Sequence, residues 1–232
     1  MSARPLLVID TATTHAVIAL GAADGTLLEQ RRWEAGYRHG EELLARVAGL
    51  LADRGVAAQE LGGIIVGTGP GAFTGLRVGI ATAKGLAHGL QVPIVGLATG
   101  AALIRAAAAA SGTGAEHLVL VQPAGPSDRV VSRVGQPARI LIGGAELPLA
   151  DDDCLIAVDL VGRAPDDATR LGEAAADGLA AALLATGAAR LAAGDTDDLA
   201  RLVPEYVTLP RGVRLDAPDE GVVVSGGKGS GL

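Results

Sequence analysis

The stretch at residues 67–89, GTGPGAFTGLRVGIATAKGLAHG, constrains this chain more than any other. It opens as a loop of Gly67, Gly69, Pro70 and Gly71. It then continues as a helix to about His88, with Thr74 as the expected N-terminal cap. Gly71, Gly75, Gly79 and Ala83 recur at every fourth residue, so in a helix they share one face almost free of side chain. Glycine inside a helix costs roughly 1 kcal/mol against alanine, so a row of them needs a compensating contact. Close approach of another backbone supplies one. That backbone belongs either to another helix of this chain or to a second protein, and the spacing leaves both open. Phe73, the one phenylalanine, stands at the tip of the loop.

The surrounding pattern is α/β. LLVID at 6–10 and AVIAL at 16–20 read as strands, and Asp24-Gly25 is a hairpin signal leading into a third strand at 26–33. A helix follows over 40–55, with Leu43, Leu44, Val47, Leu50 and Leu51 as its apolar stripe and Gly55 as its stop. Strands at 63–67 and 92–95 and a helix at 99–110 complete the order β-β-β-α-β-α-β-α. We take 1–110 as an N-terminal lobe, with SGTGA at 111–115 as the boundary. The second lobe, 111–211, reads as strands at 117–122, 129–134, 138–142 and 155–159. It ends in a helix at about 169–185, a short one near 196–202 and an extended segment at 201–211. Residues 212–232, rich in Gly and Ser, are expected to be a disordered tail.

Composition narrows the function. Of 232 residues, 49% are hydrophobic but only 2% aromatic, so the core is aliphatic. The net charge of −7 argues against a basic surface that would bind nucleic acid unaided. A single cysteine, Cys154, rules out a disulfide framework or a cysteine-rich metal site within one chain. It follows Asp151, Asp152 and Asp153, whose charges disfavour a thiolate, so it reads as structural. The N-terminus lacks a signal-peptide pattern. The most apolar long stretch, 97–110, is too short to span a membrane and carries Arg105. The expectation is a cytoplasmic protein with no membrane contact.

Two stretches could carry chemistry. Asp10, Thr11 and Thr13 lie between two strands, where hydroxyls and backbone N–H groups can cradle a phosphate and Asp10 can hold magnesium through water. The plainer reading, a hairpin in which Asp10 and Thr13 cap the turn, is preferred. The glycine loop fails the Walker spacing, since no Gly-Lys-Ser/Thr follows, and fails G-x-G-x-x-G because Ala72 replaces the third glycine. None of His15, His39, His88 and His117 pairs at metal-ligand spacing; Leu43 stands four residues after His39, where a second histidine would be needed. No G-x-S-x-G nucleophile elbow occurs.

LLVIDTAT, HGEELL, GTGPGAFTGLRVGIATAKGLA and PEYVTLPR together resemble the TsaB (YeaZ) family. The long motif G-x-G-P-G-x-F-T-G-L-R-x-G is carried by Gly67, Gly69, Pro70, Gly71, Phe73, Thr74, Gly75, Leu76, Arg77 and Gly79. The resemblance implies the α/β fold shared by actin, sugar kinases and heat-shock ATPases (ASKHA), with two related lobes. The second lobe is divergent, because Gln122-Pro123-Ala124 stands where the family usually has Asp-Ala-Arg. It implies a non-catalytic subunit that docks and supports a TsaD-like enzyme in forming N6-threonylcarbamoyladenosine at position 37 of tRNA. A TsaE-like ATPase joins the pair, and tRNA is reached only through the complex. No cofactor is required, with at most weak ATP or ADP and magnesium at the Asp10 turn. Gly71, Phe73, Gly75, Arg77, Gly79 and Ala83, beside Leu43 and Val47, are the expected partner face, which would form a homodimer when the partner is absent. The alternative is a nucleotide-dependent phosphotransferase or ATPase acting on its own, with Asp10 and Thr11 handling phosphate and metal. A peptidase ranks last, since no nucleophile–base pair is visible.

Overall fold

LLVID is apolar without alternation, the pattern of a strand covered on both faces. It forms β1 (Leu6–Asp10), fully buried at the centre of a five-stranded sheet. The computed structural model describes residues 4–35 and 39–207; the tail expected at 212–232 and the end of the 201–211 segment lie outside the described residues. On one side of β1 run β2 (His15–Gly21) and β3 (Leu27–Glu34), both antiparallel to their neighbours, with Ile9 opposite Ile18. On the other run β4 (Gly63–Gly69) and β5 (Ile94–Ala98), both parallel, giving the order β3-β2-β1-β4-β5. β3 alternates half-buried and exposed residues, as an outer strand does.

The helices between these strands are α1 (His39–Asp53), α2 (Phe73–Leu90) and α3 (Thr99–Ser111). Gly55 follows α1 at φ +62°, a left-handed stop that glycine adopts freely. Thr74 is not the cap of α2. Ala72 holds that place without a side-chain bond, and its N–H is given to the Ala12 carbonyl at 2.7 Å. Docking on the first turn, rather than a hydroxyl cap, sets where this helix begins.

The second sheet has the order β8-β7-β6-β9, from β6 (Leu118–Pro123), β7 (Arg129–Ser132), β8 (Arg139–Leu141) and β9 (Cys154–Ala157). β9 lies parallel to β6, with Leu120 level with Ile156. α4 (Asp166–Ala192) is 27 residues long and overruns the expected 169–185 at both ends. Its alanine-rich sequence holds no stop before Gly194, at φ +71°. The short helix expected near 196–202 does not form. The Asp197 and Glu205 N–H groups bond the Ile94 and Thr68 carbonyls at 2.9 and 2.8 Å, which draws this segment out along the first sheet.

One core joins the two sheets: Val8, Ile65, Leu103, Leu118, Ile156, Leu179 and Leu183 pack in a single cluster, with α3 and α4 between the sheets. Gly172 lets α4 touch β9, since a Cβ there would lie 1.9 Å from the Ala157 carbonyl oxygen. A second cluster, with Leu7, Ile9, Leu43, Val47, Ile64 and Ile80, fills the space under α1 and α2 on the other face. Each large aliphatic buried there contributes roughly 1.5–3 kcal/mol, which makes good the near absence of aromatics.

Candidate functional site

The turn after β1 and the start of α2 meet. Asp10, Thr11 and Thr13 are all buried there. The Thr99 hydroxyl donates to Asp10 Oδ2 at 2.6 Å, the Ala12 N–H donates to Oδ1 at 2.9 Å, and the Gly69 N–H donates to Thr99 Oγ1 at 3.1 Å. The Thr11 hydroxyl donates to the Gly75 carbonyl at 2.7 Å, and the Thr13 hydroxyl to the His15 carbonyl at 2.8 Å. Both oxygens of Asp10, and both hydroxyls, are therefore engaged within the chain. This is the geometry of a capped hairpin.

Burial raises the Asp10 pKa to about 6, against the pull of the Thr99 and Ala12 hydrogen bonds. Between about pH 4 and 6 the folded chain holds a proton here that the unfolded chain has already released. Stability from this group therefore falls as pH rises through that window and is flat above it, by about 3 kcal/mol in total. Asp10→Asn removes the titration. Its stability relative to wild type, from denaturant melts, should improve by about that amount between pH 4 and pH 7. A difference that does not change with pH rejects the assignment.

The stripe on α2 sits on this turn. A Cβ at Gly79 would lie 2.1 Å from Thr11 Oγ1, and one at Gly71 2.1 Å from the Ala12 carbonyl oxygen. Gly75 is buried and supplies the carbonyl that Thr11 bonds, and Ala83 is fully buried in the cluster under α1 and α2. Of the two readings of the stripe, neither holds as stated: the contact lies within the chain, but with the β1–β2 turn and not with another helix. The expectation that Gly71, Gly75, Gly79 and Ala83 present a bare ridge to another protein is corrected, because the first turn of the chain already fills it. Leu43 and Val47, at 1% and 2% exposure, face the same core and are not surface residues.

Phe73 and Arg77 stand apart from that group. Phe73 is 45% exposed, the Arg77 guanidinium lies 3.9 Å over its ring, and Arg77 Nε donates to the Tyr206 hydroxyl at 2.8 Å. The Phe73 and Tyr206 rings are 5.1 Å apart. The returning C-terminal segment thus meets the start of α2 in a partly open aromatic–cation cluster.

α2 also has an outer face that the sequence reading missed. Ala81, Gly85 and Gly89 are exposed, and a Cβ at Gly85 or Gly89 would meet nothing within 4 Å. On α1, which packs beside it, Leu44 is 56% exposed and Ala45 and Ala48 are exposed too. The spacing of 81, 85 and 89 was a signal in plain view, hidden by the stronger stripe. Among the described residues no group of three His, Cys, Asp or Glu side chains could hold a metal ion.

Comparison with known proteins places this geometry in company. The family model described as TsaD, tRNA N6-adenosine threonylcarbamoyltransferase, matches residues 33–185. The tRNA threonylcarbamoyladenosine biosynthesis protein TsaB of Escherichia coli is 38% identical over 95 residues, 40% of each chain. An uncharacterised protein of Mycobacterium leprae is 42% identical over 95 residues, 40% of this chain and 26% of that one. The chain thus spans less than half the length of these relatives. A solved structure of YeaZ from Pseudomonas aeruginosa superposes with a TM-score of 0.67 at 27% identity, over 89% of this chain and 100% of that one.

Proposed function

The chain belongs to the TsaB (YeaZ) family, within the wider TsaD-type family, and from that premise we propose that it is a non-catalytic subunit in the synthesis of N6-threonylcarbamoyladenosine at position 37 of tRNA. It docks a TsaD-like enzyme in the cytoplasm, a TsaE-like ATPase joins them, and tRNA is reached through the assembled complex. The observation that carries this reading is the shared fold with YeaZ over nearly the whole chain. Leu43, where a metal-binding second histidine would be needed, is 1% exposed in an apolar cluster, which supports a chain without a metal reaction of its own. Asp10, buried with both oxygens engaged, supports a role that requires no nucleotide.

The docking face in this reading is the outer side of the packed helices α1 and α2, on which Leu44, Ala45 and Ala48 of the one and Ala81 and Gly85 of the other are exposed. Small residues let a partner helix approach closely, and an exposed leucine among them gives apolar area to bury. Phe73 and Arg77 border this face at the start of α2, with the aromatic and arginine chemistry that anchors interfaces. A homodimer formed without the partner would use the same face.

Gly85→Arg tests it. Nothing lies within 4 Å of the added Cβ, and arginine is the better helix former, so the isolated chain should melt no lower than wild type. Co-elution and titration with the cognate TsaD-like protein should show at least tenfold weaker binding, since a bulky cation then stands in a close contact. Undiminished binding removes this face from the proposal.

A further inference from the structure

Tyr206 and Val207, neighbours in the chain, grip different parts of the fold. Val207 is 5% exposed and packs with Val130 of β7 and with Ala138, which leads into β8 on the second sheet. Tyr206 meets the start of α2, on the first sheet. Its hydroxyl accepts from Arg77 Nε at 2.8 Å, and its ring lies 5.1 Å from that of Phe73. One residue earlier, the Glu205 N–H donates to the Thr68 carbonyl at 2.8 Å and ties the backbone to β4. Tyr206 is thus held from both directions along the chain, by β4 before it and by the second sheet after it.

Arg77 is the group on which this anchorage acts. It is exposed, and it belongs to the row Phe73, Arg77, Ala81 and Gly85, which recurs every four residues along the outer side of α2. Its guanidinium lies 3.9 Å over the Phe73 ring and gives Nε to Tyr206, so two contacts set its plane. Among the described residues no carboxylate pairs with it, and the Nη1–Nη2 edge, with its parallel N–H donors, is unspent. We propose that Tyr206 is a positioning residue of the docking face: it fixes Arg77 so that the open Nη edge receives a carboxylate of the partner enzyme. This rests on the docking face proposed above and names the chemistry of its anchor. A long side chain that must be ordered on association takes from the affinity, and one already held does not. Because Tyr206 is itself seated through Val207, the anchor is complete only when the C-terminal segment has closed on the second sheet.

Titration calorimetry of the full chain with the cognate TsaD-like protein tests this, on wild type, Tyr206→Phe, Arg77→Ala and the double variant. Tyr206→Phe keeps the ring beside Phe73 and removes only the acceptor, so the melting midpoint should stay within about 3 °C of wild type. Its binding should be about threefold to tenfold weaker. Arg77→Ala should weaken binding by roughly tenfold or more, and adding Tyr206→Phe to it should change nothing further, because Tyr206 acts through Arg77. In the isolated chain, the Arg77 Nε–H resonance should exchange slowly with solvent in wild type and rapidly in Tyr206→Phe, which a purely structural tyrosine would not produce. A loss under about twofold for Tyr206→Phe, or the same loss with and without Arg77, overturns the proposal. If Gly85→Arg still weakens binding in that case, the docking face stands and only the role of Tyr206 falls. If Gly85→Arg binds as wild type does, the face falls and this inference falls with it.

Discussion

Gly67→Ala, the addition of one methyl group, is expected to destabilise the chain by about 4 kcal/mol. Gly67 is in β4, against the carboxylate of Asp10. A Cβ there would fall 1.7 Å from Asp10 Oδ2, 2.6 Å from its Cγ and 2.7 Å from Thr99 Oγ1. It would stand between the two groups that share the 2.6 Å hydrogen bond. Both are fully buried, so neither can swing into water. Overpacking a close site costs about 1–3 kcal/mol, and losing a buried hydrogen bond to a carboxylate adds roughly as much again. For a chain of this length each kcal/mol lowers the melting midpoint by roughly 2–4 °C. Denaturant titration of wild type and variant measures the loss; a change under 1 kcal/mol would falsify the Asp10–Thr99 arrangement.

Gly79→Leu should cost the isolated chain a similar amount, about 4 kcal/mol, before any partner is present. The Thr11 hydroxyl occupies the place of the new Cβ, and it is held there by its bond to the Gly75 carbonyl. A leucine adds three carbons beyond that first collision, toward Thr11 Cβ and Cγ2, each already 3.3 Å away. To relieve it, α2 must lift from β1 and open the cluster that contains Ile80 and Ala83. Thermal melts of the purified chain decide the matter. An unchanged midpoint combined with lost binding to a TsaD-like protein would return the inner stripe to the partner. A lowered midpoint in the isolated chain assigns it to the fold, and leaves Gly85→Arg as the variant that reads the interface alone.

The two glycine rows on α2 show what a linear pattern can and cannot say. A repeat of four assigns residues to one face of a helix, and Gly71, Gly75 and Gly79 announced a contact closer than side chains allow. Which body makes that contact depends on the turn at 11–12, far away in the chain, whose path no local signal specifies. Asp10 is a parallel case. Asp-Thr before a strand reads equally well as a phosphate cradle or a hairpin cap, and full burial with the Thr99 hydroxyl, 89 positions away, makes it a cap. Asp159, two residues past β9, gave no signal either: its carboxylate accepts from the N–H and hydroxyl of Thr14, 145 positions away.

From its residues alone this chain is legible as a β-β-β-α-β-α-β-α opening, with an aliphatic core and a family resemblance carried by the glycine loop. Those features rest on side-chain periodicity and turn chemistry, which act between near neighbours and need no knowledge of the rest. Folding in three dimensions settled the remainder: the inner stripe closed on its own first turn, α4 extended between the sheets, and the C-terminal segment returned along β5 instead of coiling. Each of these is a contest between a local preference of a few tenths of a kcal/mol and a long-range contact worth one or more, and the larger contribution prevails.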